Sequence, residues 1–390
     1  MEQELDLQIM LGHALGAAEG LTASELGEAL ARARQLSGQL NRPLELGLTQ
    51  YAQLVFRIIR GELERSEQDA EELRSFGEQE KEVMWVCAGS LWSGVAKCWL
   101  GKFIEARCSL ENGLPSWNPV YRAAGISWPF FDPYMIGVFF HSITLLCLGY
   151  VDQGRSRRDE GLAEARRLSP YHLAYALGLA LYGDWAIRDW KDLKSTQAIL
   201  RSSEELLAVS SEHGFPGLVE TGNIMRGWCL GVIGRTADGV ALLQQGIKIR
   251  RARGAAVLLP SYLAMLAEVF GIAGHPEEGI NSLSEAAKIT ETTQERWAEA
   301  EIYRLRGGLF LSINQHGAAE ASYRNALAVA RCQSTKFWEL RATLDLARLW
   351  RDQRKLLEAR NLLAPIYGWF TEGFDTPVLQ DAKALLDELA

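Results

Sequence analysis

The chain has 390 residues, 48% of them hydrophobic and 23% charged, with a net charge of −8. This is the composition of a folded protein, and its acidic balance argues against general nucleic-acid binding and against a basic membrane-docking surface. The longest apolar stretch, Met135 to Leu148, is interrupted by Gly137, His141 and Ser142, so no transmembrane helix is expected. The opening Met1 to Met10 is acidic and amphipathic, unlike a signal peptide. Six scattered cysteines without a CxxC pair suit mostly buried free thiols in a reducing cytoplasm.

In chain order, helical periodicity predicts a first helix pair over about 3–38, with Thr22 or Ser24 able to cap its second helix. Asn41 and Pro43 separate it from a second pair, 43–78. The third, 80–113, carries Trp85, Trp92 and Trp99. Residues 114–134 break the pattern, because Pro115, Pro119, Pro129 and Pro133 forbid a continuous helix. This aromatic insertion contains Trp117, Tyr121, Trp128, Phe130, Phe131 and Tyr134. Further pairs follow at 134–168, 170–213, 216–253, 255–293, 294–333 and 336–370. A last helix, 376–389, has Asp375 placed to cap it and polar positions suited to closing the end of a stack.

The pair at 255–293 shows the unit most clearly. Leu259, Leu263, Leu266, Ala267 and Phe270 form one apolar stripe, Gly274 and Pro276 break it, and Ile280, Leu283, Ala286 and Ile289 form the next. Small residues seven apart, Gly279/Ala286, recur as Ala106/Gly113, Gly154/Gly161, Gly239/Gly246 and Ala319/Ala326, with Leu26/Ala33 a weaker version. The dividing turns at Gly20, Gly61, Gly101, Gly149, Asp189, Gly234, Gly274, Asn314 and Gln353 are spaced by 41, 40, 48, 40, 45, 40, 40 and 39 residues. A pair this short cannot bury both apolar faces alone, so about nine of them at a near-constant period predict an all-α solenoid over 1–390 as a single superhelical domain.

The anchors Leu263, Leu266, Ala267, Phe270, Gly274, Gly279 and Ala286 resemble the tetratricopeptide repeat, here with a longer period near forty. The strings Glu295 to Gly307 and Leu346 to Leu389, and the opening Leu5 to Leu15, are similar to the C-terminal repeat region of bacterial proteins that join a nucleotide cyclase, an ATPase module and a tetratricopeptide array. The resemblance implies a right-handed superhelix and a sensory or regulatory role in signalling. It does not carry over catalysis, since the chain has no G-x-x-x-x-G-K-[ST] loop.

The resemblance also implies that the first helix of each pair lines a concave surface. Aligning the repeats puts Tyr51, Phe139, Trp228, Glu268 and Arg304 near it, and aromatics and arginine are favoured interface anchors. These five are the candidate partner-binding residues. Trp117, Tyr121, Trp128 and Phe131 are the candidates for a ligand pocket near 114–140; the competing reading is that they plug a gap between the third and fourth pairs. Glu301 and Arg304 are spaced for a surface i,i+3 pair. Six histidines lack ligand spacing, and adjacent acids such as Glu71/Glu72 and Glu277/Glu278 suit outer faces and helix starts, so no catalytic residue, metal site or cofactor is expected. The expected function is a non-enzymatic scaffold recognising a protein or peptide; the alternative is a small-molecule sensor using the aromatic pocket.

Overall fold

A computed structural model describes residues 1–18, 21–123, 130–188 and 192–390. The turns expected at Gly20 and Asp189, and the side chains Trp128 and Trp190, lie outside them. Among the described residues all regular structure is helical. Nine pairs form: α1 (Glu2–Ala18) with α2 (Ser24–Gln39), α3 (Pro43–Arg60) with α4 (Leu63–Glu80), and α5 (Val83–Trp99) with α6 (Phe103–Gly113). The insertion contributes a 3₁₀ turn, Leu114–Ser116, and the short α7 (Val120–Ala123). Pairing resumes with α8 (Pro133–Leu148) and α9 (Val151–Leu168), α10 (Pro170–Ala186) and α11 (Leu193–Glu212), and α12 (Pro216–Val232) and α13 (Thr236–Ala252). It continues with α14 (Leu259–Ile272) and α15 (Pro276–Thr293), α16 (Glu299–Ser312) and α17 (His316–Cys332), and α18 (Lys336–Asp352) and α19 (Leu356–Tyr367), before the final α20 (Pro377–Glu388).

The turn chemistry is largely as the sequence reads. Gly274 turns at φ +80°, and Asn314 adopts the same left-handed region at φ 60°. In the ninth pair the left-handed residue is Arg354, not Gln353. The small pairs lie at helix crossings. A Cβ added at Gly239 would stand 2.7 Å from the Gly227 carbonyl oxygen and the Gly231 nitrogen, so α13 meets α12 backbone to backbone.

The described helices cluster into two compact units. Unit 1 comprises Met1–His141, Ile249–Val257 and Thr293–Glu295; unit 2 comprises Ser142–Lys248, Leu258–Thr292 and Arg296–Ala390. In unit 1, Leu26, Leu30, Ala52 and Phe56 close one apolar cluster. In unit 2, Val151, Phe337, Leu363, Phe370 and Leu379 share one core.

Unit 2 also closes on itself. The backbone N–H groups of Asp152 and Gln153, in the first turn of α9, donate to Glu372 at 2.9 and 3.2 Å. The Gly373 N–H returns a bond to Asp152, and Arg155 pairs with Asp375 at 2.8 Å. Trp369 packs edge-on to Tyr150 and covers Gly149, whose φ of +98° and lack of a side chain leave room for it. Asp375 is therefore not the cap of α20; Thr376 holds that position, because the Asp375 carboxylate is engaged by Arg155. Likewise neither Thr22 nor Ser24 caps α2: Ala23 precedes it, the Thr22 hydroxyl donates to the Arg253 carbonyl, and Ser24 donates to Glu25. Of the cysteines, Cys108 and Cys332 are exposed and the other four are buried.

Candidate functional site

The first helices of unit 2 present equivalent positions at intervals of one repeat. Stepping by forty residues leads from Arg188, just after α10, to Trp228 on α12 and Glu268 on α14. These three meet. Arg188 donates to the Glu268 carboxylate through Nε at 3.2 Å and Nη2 at 2.8 Å. Trp228 Nε1 donates to the same oxygen at 2.8 Å. The guanidinium lies over the Trp185 ring, 4.1 Å from its centroid, and 5.4 Å from that of Trp228. Weak hydration and a flat shape suit a guanidinium to such a buried aromatic stack.

The next two first helices extend the network. Glu301 on α16 accepts from Arg188 at 3.3 Å and forms a two-oxygen pair with Arg304 at 2.7 and 2.8 Å. Arg341 on α18 reaches Glu301 at 3.1 Å and donates to the Arg188 carbonyl at 2.7 Å. Arg304 continues to Asp345 at 2.6 Å. Three guanidiniums thus face three carboxylates. Trp297 and Trp338 flank Trp185, and the Tyr182 and Tyr262 hydroxyls lie 2.7 Å apart.

Burial sets the electrostatics. Glu301 is 1% exposed, and burial alone would push its carboxyl upward. The charges of Arg304, Arg341 and Arg188 overcome that and hold it down at about 2. Burial lowers Arg341 to about 10, against the attraction of Glu301. Arg304 is raised well above its ordinary value, burial being outweighed by Glu301 and Asp345.

Of the sequence candidates, the structure brings Trp228 and Glu268 into direct contact and joins Arg304 to them through Glu301 and Arg188. Trp228 is fully buried and Glu268 nearly so. The Glu301–Arg304 pair forms with the expected spacing, but in the interior rather than at the surface, because α16 turns this face toward α14 and α18. Arg188 and Arg341 are absent from the sequence candidates. The signal that finds Arg188 is the forty-residue step back from Trp228.

Tyr51 and Phe139 belong to unit 1 and are buried. The Tyr51 hydroxyl donates to the Phe131 carbonyl, and its ring stands edge-on to Trp92 at 5.7 Å. Trp117 stacks on Tyr134 at 5.9 Å and stands edge-on to Tyr121 at 5.5 Å. Phe130 packs on the cluster of Leu26, Leu30, Ala52 and Phe56, so the described aromatics of the insertion pack on one another and on α2, α3 and α5. Glu71 and Glu72, read as outer-face acids, are both paired, Glu71 with Arg74 and Lys97 and Glu72 with Arg34.

The chain is a tetratricopeptide-like α-solenoid. A Rap protein solved in complex with competence and sporulation factor has a similar fold, with a TM-score of 0.52 at 10% identity over 89% of this chain and 98% of that one. Aspartyl phosphate phosphatase F from Bacillus subtilis aligns with a TM-score of 0.45 at 10% identity, covering 93% of this chain and 92% of that one. A signal-transduction ATPase with a tetratricopeptide repeat sensor from Pyrococcus horikoshii gives 0.45 at 9% identity, covering 94% of this chain and 50% of that one. By sequence, an uncharacterized protein of Rhizobium meliloti is 28% identical over 148 residues, which is 38% of this chain and 14% of that relative's length. No protein-family model matches the chain. Among the described residues, no helix is long and apolar enough to cross a membrane.

Proposed function

We propose that the chain is a non-enzymatic binding scaffold, a regulatory module of bacterial signalling that recognises a protein or peptide through the inner face of its first helices. The observation that carries this reading is the charged interior of unit 2, to which α12, α14, α16, α18 and the turn after α10 contribute. Well-packed apolar residues would stabilise such an interior as well or better. The partly exposed Arg304–Asp345 pair of this network instead supplies groups that a partner's own acid or base exchanges into, with the geometric selectivity of forked hydrogen bonds. The Rap complex, solved with a factor bound to a solenoid of similar fold, supports a peptide or protein as the partner class.

The test is affinity capture from a bacterial lysate with wild type, Arg304→Lys and Asp345→Asn, read by mass spectrometry. Both variants keep charge or shape but lose the Arg304–Asp345 pair geometry. A specific partner recovered at least about tenfold less by the variants supports the reading, as loss of a charge-assisted pair predicts. Equal recovery by variants with wild-type circular dichroism rejects it.

A further inference from the structure

Helix α1 carries two apolar faces. One, with Leu5 and Ile9, packs on Ala33 and Leu36 of α2. The other, Leu7, Met10, Leu11 and Ala14, follows the i, i+3, i+4, i+7 spacing of a helical stripe. It is exposed, Leu7 by 64%, Met10 by 67% and Leu11 by 45%. Single exposed leucines are ordinary, but a continuous stripe of large apolar side chains marks a contact surface.

Other first helices show what this face meets. Register is set by the residue that lies against the helix's own partner. In α1 it is Gly12, where an added Cβ would touch Leu26 and Leu30 of α2. In α5 it is Gly94, against Leu110 and Ala106 of α6, and in α12 Gly227, against Leu242 and Gly239 of α13. Five positions before each stand Leu7, Gly89 and Gly222. A Cβ added at Gly89 would lie 2.5 Å from the Arg74 nitrogen of α4, and one at Gly222 would lie 2.8 Å from Leu207 of α11. This face of a first helix therefore packs on the second helix of the pair before it. Helix α3 does the same: Ala52 clusters with Leu26 and Leu30 of α2, and the Phe56 ring fills the space beside Gly27. Where the first helix is bulky, the second helix supplies a glycine. At α19 the next place is taken by α20, which turns Gln380, Lys383 and Asp387 outward. On α1 the equivalent seat is apolar and exposed. Its borders are acidic, with Glu2 and Asp6 along one edge and Glu4, paired with Arg32, along the other.

We propose that this face of α1 is a docking site for an amphipathic helix of a partner protein, which seats on α1 as α2 seats on α3. Glycine and alanine of that helix face Leu7 and Met10, and its lysines face the acidic borders. The residues are distinct from those of the unit 2 network, so this inference stands or falls independently of the site proposed there.

The test is fluorescence polarisation of the full chain with a labelled, helix-stapled peptide of eighteen residues, the length of α4. The peptide carries alanine and glycine along one stripe and lysines on both flanks; its control has the same composition in an order that breaks the stripe. The striped peptide is expected to bind at least about tenfold tighter than the control, the worth of burying one large apolar side chain. Leu7→Gln and Met10→Gln are each expected to weaken binding about tenfold, and Asp6→Asn about threefold. Both glutamine variants change exposed positions and should melt with wild type. Leu357→Gln, at an equally exposed leucine on α19, leaves the affinity unchanged. No binding, equal binding of the two peptides, or unchanged affinity in Leu7→Gln and Met10→Gln overturns the proposal. So does a loss with Leu357→Gln as large as that with Met10→Gln, because the attraction would then be generic. Lower melting of Leu7→Gln or Met10→Gln means that the face is already covered within the chain and overturns it too. A dimer in light scattering that Met10→Gln returns to monomer overturns it in favour of a second copy.

Discussion

Replacing Glu301 with glutamine keeps the shape of the side chain and removes one negative charge from the centre of the unit 2 network. Arg188, Arg304 and Arg341 all contact this carboxylate, at 3.3, 2.7 and 3.1 Å, so three guanidiniums would then share Glu268 and Asp345. Glu301 is held at about 2 in place of the ordinary 4.5. That depression corresponds to about 3 kcal/mol of interaction favouring the carboxylate. It agrees with the roughly 3–5 kcal/mol cost of breaking a buried pair by removing one partner. Glu301→Gln is therefore expected to lower unfolding free energy at pH 7 by about 3 kcal/mol, measured by urea denaturation. Tryptophan fluorescence and far-ultraviolet circular dichroism should be followed together, since a repeat array need not unfold in two states. The folded pKa lies below the unfolded one, so the carboxylate's contribution is complete above about pH 5 and lost as pH falls toward about 2. The gap between wild type and variant should narrow over that acid range. A variant within about 1 kcal/mol of wild type at pH 7 refutes the reasoning, and so does a gap that stays constant in acid.

Two further outcomes test the packing. Gly239→Ala places a methyl group against the Gly227 and Gly231 backbone, which cannot rotate away, and is expected to cost about 1–3 kcal/mol in chemical denaturation; a neutral result means α12 and α13 separate easily. Glu372→Ala removes the acceptor for two N–H groups in the first turn of α9 and is expected to cost about 1 kcal/mol, with faster hydrogen exchange at Asp152 and Gln153; unchanged exchange there counts against the cap.

The helix pairs are legible in the sequence because each obeys a local rule. Apolar residues at helical spacing, a left-handed turn residue and small residues seven apart all act within forty residues. The pair 255–293 is resolved as α14 and α15, with Gly279 and Ala286 both buried. The interior of unit 2 is less legible. Glu301 and Arg304 read as a surface pair and Arg341 goes unnoticed, since nothing within one repeat states that α14, α16 and α18 come together around them. Of the two residues that donate to Glu268, Trp228 is a sequence candidate and Arg188 is visible only by stepping the forty-residue period back from it. The caps fail for a related reason: Thr22, Ser24 and Asp375 occupy suitable local positions, but Arg253, Glu25 and Arg155 engage them.

The Glu372 contact bears on how this array assembles. In a simple solenoid each unit touches its neighbours, folding starts anywhere, and ends fray independently. Here the beginning of α9 receives its hydrogen-bond acceptor from a residue 220 positions later. Closing a chain loop of that length costs about 5 kcal/mol of entropy if nothing between is ordered, and far less once the intervening repeats have stacked. Closure is therefore expected late, after α10 to α19 have formed. Once made, it ties α9 to the stretch that follows α19, so loss of the Glu372 contact would loosen both. A linear stack becomes a circuit, in which the start of α9 and the stretch after α19 share one joint.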